Sequence, residues 1–298
     1  MAIEANTQGA AALIPHWMVL GIGAMKEKLV LSNLIQRDGG SNPAQPFNQL
    51  NVPVRGVLVA RSKAEGDAII SDAPTNTNVP IILAYHDYVS WSYEDTAKAK
   101  MAPAALQYFM DAVIGVSRKI ETRCADLYAG LTTVIGAAST PLDESSILAA
   151  KAQLGALRCP DEGRFAFISE DEETRLIQVD KLSRADARGN AGQVMTEGKV
   201  GRLYGFDVYG SQLVAKTVGP PTQTHNIVGH PNFAIMAMRP LALPDTTVSA
   251  LYIFDEATGL SFRYMWGYSM EFQTTVHTID VLYGLAVVDP RLAIELRS

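Results

Sequence analysis

The stretch Pro103–Val134, PAALQYFMDAVIGVSRKIETRCADLYAGLTTV, decides the fold. Leu106, Val113, Ile120, Leu127 and Val134 recur at seven-residue spacing, and Met110, Cys124 and Leu131 fill the offset positions, so the apolar side chains share one helical stripe. Gln107, Asp111, Arg118, Lys119, Glu121, Arg123 and Asp126 decorate the remainder. Pro103 stands where a first turn tolerates a missing N–H, and Gly136 is the expected stop. At about 1.5 Å per residue such a helix would be roughly 45–50 Å long, as long as an ordinary domain is wide. Something must lie along it. Ser117 interrupts the stripe, and Gly115 and Gly130 weaken it, so a cover of strands suits it better than a second helix.

Downstream, Leu251–Phe254, Leu260–Trp266, Met270–Ile279 and Val281–Val288 read as strands, with a turn at residues 255–259. Both faces of Val281–Val288 are largely apolar, the pattern of a strand covered on two sides. One cover is expected to be the long helix. Upstream, Val52–Val59 and Val79–Val89 read as two strands joined by a polar segment, residues 61–78, which carries turn chemistry and little to bury. Such a hairpin is marginal alone in water and must lie on something. Residues 1–15 read as an extended arm, and His16–Arg37 as a helix broken at Gly21 and Gly23.

Between the helix and the closing strands, Asp143 is the expected N-cap of a helix running to Leu157, and Arg164–Ser169 reads as a short strand. The acidic run Glu170–Glu173 reads as a solvated helix start. In residues 200–211, aromatic and β-branched residues alternate between glycines, as in a strand bent at a turn, with Tyr204, Phe206 and Val208 on one face. His230–Arg239 reads as a short helix ending before Pro240.

A net charge of −6 argues against a surface built mainly to grip phosphate backbones. Charged residues make up 19%, below the usual quarter, which hints at extensive subunit contacts. Two cysteines are too few for a secreted disulfide framework and read as buried thiols in a reducing cytoplasm. The first residues lack the pattern of a secretory signal, and no window is apolar enough to span a membrane, so a soluble, cytoplasm-made protein is expected.

Chemistry-bearing motifs are missing. There is no nucleophile elbow around Ser211, no phosphate-binding loop and no paired-histidine zinc motif. His225 and His230 lack ligand spacing and read as solvated or loop-bonding. No catalytic, cofactor-binding or metal residue is therefore nominated, and an enzyme or small-molecule module would need a dispersed site.

Several strings, in this order, resemble the major capsid proteins of tailed double-stranded-DNA bacteriophages. Lys28–Asp38 resembles that family's arm, the hairpin from Val52 to Val89 its extended loop, and Pro103–Val134 its spine helix. Leu203–Ser211 after Glu197-Gly198 resembles the end of the axial domain's sheet, while Thr258–Tyr264 and Asp280–Gly284 resemble closing strands of the peripheral domain. The resemblance implies an α+β fold with an arm at residues 1–48 and an extended loop at 49–100. It implies a peripheral domain at 101–140 and 233–298 and a mixed α/β axial domain at 141–232. Function would be self-assembly into pentamers and hexamers of an icosahedral head around non-specifically contacted double-stranded DNA, in the virion and without a membrane. The hairpin tip, Arg61, Lys63, Glu65, Asp67 and Asp72, is the expected contact with a neighbouring subunit. The arm pattern begins within the first twenty residues, which implies a separate scaffolding protein or a mature chain; a portal and decoration proteins complete the expected partners. The alternative on the same fold is an encapsulin-like compartment shell. Some members crosslink a loop lysine to a peripheral-domain asparagine, but no Asn follows Asn232 and no Lys follows Lys216, so a non-covalent shell is expected.

Overall fold

The computed structural model describes residues 29–39, 49–56, 58, 60–66, 68, 69, 71, 73, 76–95, 105–178, 201–239, 241–244, 249–255 and 260–298. In chain order these form helix α1 (Leu31–Leu34) and strands β1 (Gln36–Gly39), β2 (Gln49–Arg55), β3 (Asn76–Ile82) and β4 (Tyr85–Glu94). Helix α2 (Ala105–Ala125), β5 (Val134–Gly136), α3 (Glu144–Ala156), β6 (Phe165–Ser169) and α4 (Glu170–Gln178) follow. The remainder is β7 (Arg202–Leu203), β8 (Phe206–Ser211), β9 (Ala215–Thr217), β10 (Gln223–Gly229), β11 (Ala234–Arg239), β12 (Ser249–Asp255), β13 (Leu260–Ser269), β14 (Thr274–Val287) and β15 (Ala293–Arg297).

Strand β14 organises the first sheet. β4 pairs with it from Thr274 to Tyr283 on one edge; β13 and then β11 occupy the other, with β12 beyond β13 and β1 beyond β11. Helix α2 lies on one face of this sheet. Its Phe109, Val113, Val116, Ile120 and Cys124 are buried with Phe262, Tyr264, Ile279, Val281 and Tyr283. At about 1.5–3 kcal/mol for each large side chain fully buried, this seam is the main stabiliser of the helix. The alternate residues of β14 face the other way, where Ala286 packs with Ile81, Ile235 and Ala237. The second cover of the doubly apolar strand is thus the foot of the β2–β3 hairpin.

The helix is shorter than its repeat implies. α2 spans 21 residues, about 31 Å at 1.5 Å per residue, and gives way to a 3-10 turn at Asp126–Gly130. Val134 then pairs with Glu295 as part of β5. The apolar repeat continued past Ala125, but strand pairing claimed its last members. Gly130 fits because a Cβ there would approach a Val287 methyl to 2.8 Å.

Three further expectations are corrected. Residues 230–239 are a 3-10 turn, Pro231–Phe233, followed by β11, every residue of which is buried. Pairing with β14 and β1 on its two edges outweighs the helix preference of Ala and Met. Within the described part of the arm, the helix is confined to Leu31–Leu34, and Gln36–Gly39 joins β11 as a parallel strand. The expected strand Val79–Val89 breaks at Leu83-Ala84, so that β3 serves the hairpin and β4 the main sheet.

The second sheet has the order β5-β15-β10-β6-β8-β7, with β9 also on β10. Its Ala166, Ile168, Phe206, Val228, Ile294 and Leu296 pack with Ile147, Ala150 and Leu154 of α3. Asp143 caps α3 as expected, accepting the Ser146 N–H at 2.9 Å. Residues 134–136 and 293–297, which the sequence grouped with the spine, are strands here, because Ile294 and Leu296 are fully buried on this side.

Candidate assembly interface

Among its described residues, the β2–β3 hairpin rests on the body at its foot. Leu50 pairs with Ile81 and Val52 with Val79, and Leu50, Val52 and Ile81 pack with Ile235, Ala237 and Ala286. The crossing is close: a Cβ added at Gly284 would stand 2.3 Å from the Ile82 carbonyl oxygen. From Gly56 to Asn78 every described residue is exposed. Arg61, Lys63 and Glu65 lie there, leading into a turn at Gly66, whose φ of +91° suits glycine. Asp67 and Asp72 lie outside the described residues. Leu58 and Ile69 are 66% and 83% exposed, so the tip carries apolar groups that its own subunit does not cover.

A second exposed apolar surface lies at the start of β14, where the end of β13 and the turn after it carry Tyr268, Met270 and Phe272, 53%, 86% and 67% exposed. Phe272 forms one wall of a groove of about 830 Å³, with Trp91 and Tyr93 of β4 and Tyr108 of α2 on the others. Tyr93 meets Tyr108 edge to face at 5.5 Å. The Tyr268 hydroxyl donates to Asp95 at 2.6 Å, tying the turn to the end of β4. This surface was not nominated from sequence, although an aromatic and a methionine inside a turn, Met270-Glu271-Phe272, were there to be noticed.

Buried polar groups hold the platform behind these surfaces. Glu121 of α2, fully buried, accepts the backbone N–H groups of Val30, Leu31 and Ser32 at 3.2, 2.5 and 3.1 Å. Burial pushes its carboxyl above the usual range, more than these amides pull it down. Asp87 of β4 takes two hydrogen bonds from Arg123 and one from Tyr283 at 2.7 Å. Burial would raise it, but those bonds prevail and hold it below the ordinary aspartate value. Asp280 of β14 receives Arg263 through both oxygens and faces His86 at 3.3 Å.

The second sheet is locked similarly. His225 is not solvated, as its sequence suggested, but buried: Nδ1 meets Glu295 at 2.7 Å, Nε2 meets Thr217 at 2.8 Å, and the ring stacks on Tyr128. Arg297 donates to Glu295 at 2.9 Å. His230 accepts the Asn232 N–H within its own loop. In the acidic run, Asp171 is exposed and pairs with Lys216, whereas Glu172 is buried and accepts the Leu142 N–H at 2.9 Å. Its partner lies thirty residues away, so local sequence could not show it. Among the described residues, no three His, Cys, Asp or Glu side chains are grouped to hold a metal ion, and no helix is long and apolar enough to cross a membrane.

The fold thus sets a helix on one face of a long-stranded sheet and a hairpin foot on the other, and adds a second sheet. Residues 80–294 match a family model described as phage capsid protein. The chain belongs to the phage capsid protein family. Its fold is that of phage capsid subunits: a structure from Mycobacterium phage Che8 superposes with a TM-score of 0.66 at 19% identity, over 90% of both chains. The capsid of cyanophage P-SCSP1u gives 0.62 at 15%, over 90% of this chain and 87% of that one. The mature capsid of bacteriophage PhiM1 gives 0.61 at 12%, over 90% and 86%. No curated protein sequence matches the chain. This is a major capsid protein with an α+β fold, a structural component of the virion shell.

Proposed function

We propose that this subunit closes an icosahedral head from pentamers and hexamers, and that the β2–β3 hairpin tip is an inter-subunit contact made by Arg61, Lys63, Glu65, Asp67 and Asp72. The supporting observation is the uniform exposure of the described hairpin residues beyond its foot, including Leu58 and Ile69. Exposed apolar groups on a projecting hairpin are a liability in a monomer and become contacts in a closed symmetric assembly. In this reading residues 1–48 are an arm, 49–100 carry the extended loop, 101–140 and 233–298 centre on the peripheral sheet and spine, and 141–232 on the axial sheet. β5 and β15 complete that axial sheet.

The subunit acts by geometry and not by catalysis. A separate scaffolding protein, a portal and decoration proteins are its proposed partners, with packaged DNA contacted without sequence preference, in keeping with the net negative charge. The family match is to phage capsids, which favours a DNA container over a compartment loaded with enzyme cargo. Expressing the chain and imaging it by electron microscopy tests the reading. Polyhedral shells, tubes or capsomer-sized rings are expected. A stable monomer at high concentration, with a melting transition raised by a small ligand, would overturn it.

A further inference from the structure

Strand β4 forms an edge of the first sheet. It pairs residue for residue with β14 from Tyr85 to Glu94, without a bulge, and among the described residues no strand takes its other side. Alternate backbone N–H and C=O groups therefore point outward along a long edge, and the strand carries neither Lys nor Pro, the residues that commonly blunt such an edge. Helix α2 runs antiparallel beside it: Arg123 bonds Asp87, Gly115 stands against Val89, and Tyr108 meets Tyr93. Two hollows lie in succession between helix and strand. The first, of about 310 Å³, is lined by Tyr88 and Val89 with Gly115 and Lys119, and the second is the aromatic groove at Trp91 and Tyr108.

Gly115 bears on what this gap is for. Glycine weakens a helix interior relative to alanine, and packing does not demand it here, since a Cβ would meet only a Val89 methyl, at 3.4 Å. Its missing side chain keeps the first hollow open. Asp87 in the same lining is already matched by Arg123 and Tyr283, so the exposed Lys119 sets the charge that an occupant meets.

We propose that the gap between β4 and α2 is a strand-addition site, taking an extended segment of a partner protein that places an acidic residue over Lys119 and, four residues along, a large apolar residue among Trp91, Tyr108 and Phe272. Main-chain hydrogen bonds to the β4 edge supply affinity, and the two hollows select side chains. The spacing follows from the strand. The hollows centre near Tyr88 and Ser92, about 13 Å apart at about 3.3 Å per residue, and residues four apart on an added strand point to the same side. The site is separate from the hairpin tip, and the inference goes beyond the question of how the shell closes.

The probe is a fluorescein-labelled heptapeptide, Thr-Glu-Thr-Val-Thr-Phe-Thr, titrated with the full chain as subunits and as shells and read by fluorescence anisotropy. Two further peptides, N-methylated at the odd or at the even positions, decide the mode, because an added strand turns only alternate N–H groups toward its neighbour. The unmethylated peptide should bind to both forms of the chain, one methylated peptide should lose binding and the other keep it, and Lys in place of the peptide's Glu should weaken binding several-fold. Gly115→Leu, which fills the first hollow, should weaken binding at least ten-fold while leaving the melting temperature no lower than the parent's. Equal binding of the two methylated peptides, or unchanged affinity in a folded Gly115→Leu chain, overturns strand addition. Absence of binding to subunits and shells alike, as the chain's own arm in the gap would give, overturns the partner segment, and so does binding to subunits that is lost in shells, which assigns the gap to a second copy.

Discussion

The carboxylate of Glu121, near the C-terminal end of the spine helix, accepts the backbone N–H of Ser32 at 3.1 Å, across 89 residues of chain. Together with its bonds to Val30 and Leu31 it satisfies the free amides at the start of the short helix α1, and so fastens the arm to the spine. Leu29, Leu31 and Ile35 bury their side chains around it.

Glu121→Gln tests this fastening. The amide keeps one acceptor oxygen but turns a donor toward backbone donors, leaving a buried N–H unpaired at a cost of about 1–3 kcal/mol. Its pH dependence has a defined sign. Burial lifts the folded-state carboxyl above the ordinary glutamate value of 4.5, so the folded chain retains a proton that the unfolded chain has lost. This contribution to stability is fully present below that value and is lost as pH rises through the folded one. Thermal melts of unassembled subunits should therefore show a Tm that declines across this window in the parent chain and a flatter profile in Glu121→Gln. Parallel profiles would refute the assignment.

Gly284→Val addresses the hairpin foot. A Cβ at this position meets the Ile82 carbonyl oxygen at 2.3 Å and its carbon at 2.9 Å, backbone atoms that cannot swing aside. The expected outcome is a loss of about 2–3 kcal/mol, typical of overpacking, and faster proteolysis within residues 49–82 than elsewhere. Melting temperature and cleavage sites give the readout; a variant cleaved as slowly as the parent at the hairpin would show that the foot is not seated on β14.

Much of this architecture was legible because it rests on period. The stripe on α2, the alternation along β14 and the Asp143 cap are local patterns, and local patterns survive in one sequence. The failures share a cause. Residues 126–134 continue the helical spacing, yet Val134 is drawn into a strand by Glu295, and β11, with its Ala and Met, is a strand because two neighbours pair with it. Likewise, nothing near His225 in sequence announces Glu295, seventy residues on, or makes the foot of the hairpin press on Gly284. The aromatic groove was missed for a similar reason: β4, α2 and the β13–β14 turn each contribute part of it.

Cohesion of the shell should be wholly non-covalent. Family members that weld their subunits join a loop lysine to a peripheral-domain asparagine, and here no Asn follows Asn232 in the sequence, while Lys63 sits on the exposed tip. Mature particles boiled in detergent should run as a single monomer band. A ladder of covalent multimers, without added crosslinker, would contradict this.

Removing residues 61–72 separates folding from assembly. The described residues of this segment are exposed and none of them belongs to the two buried clusters flanking the first sheet: the foot is built from Leu50, Val52 and Ile81, and the spine seam from α2, β13 and β14. Deleting a surface loop changes closure entropy only slowly with length, so the subunit should fold with a melting temperature close to that of the parent. What the proposed inter-subunit role of the tip requires it to lose is shell closure. Sedimentation and electron microscopy of the deletion variant would show free subunits or open capsomers in place of closed shells. Normal particles of normal persistence would remove the hairpin tip from the interface, whereas an unfolded subunit would show that the segment stabilises its own chain.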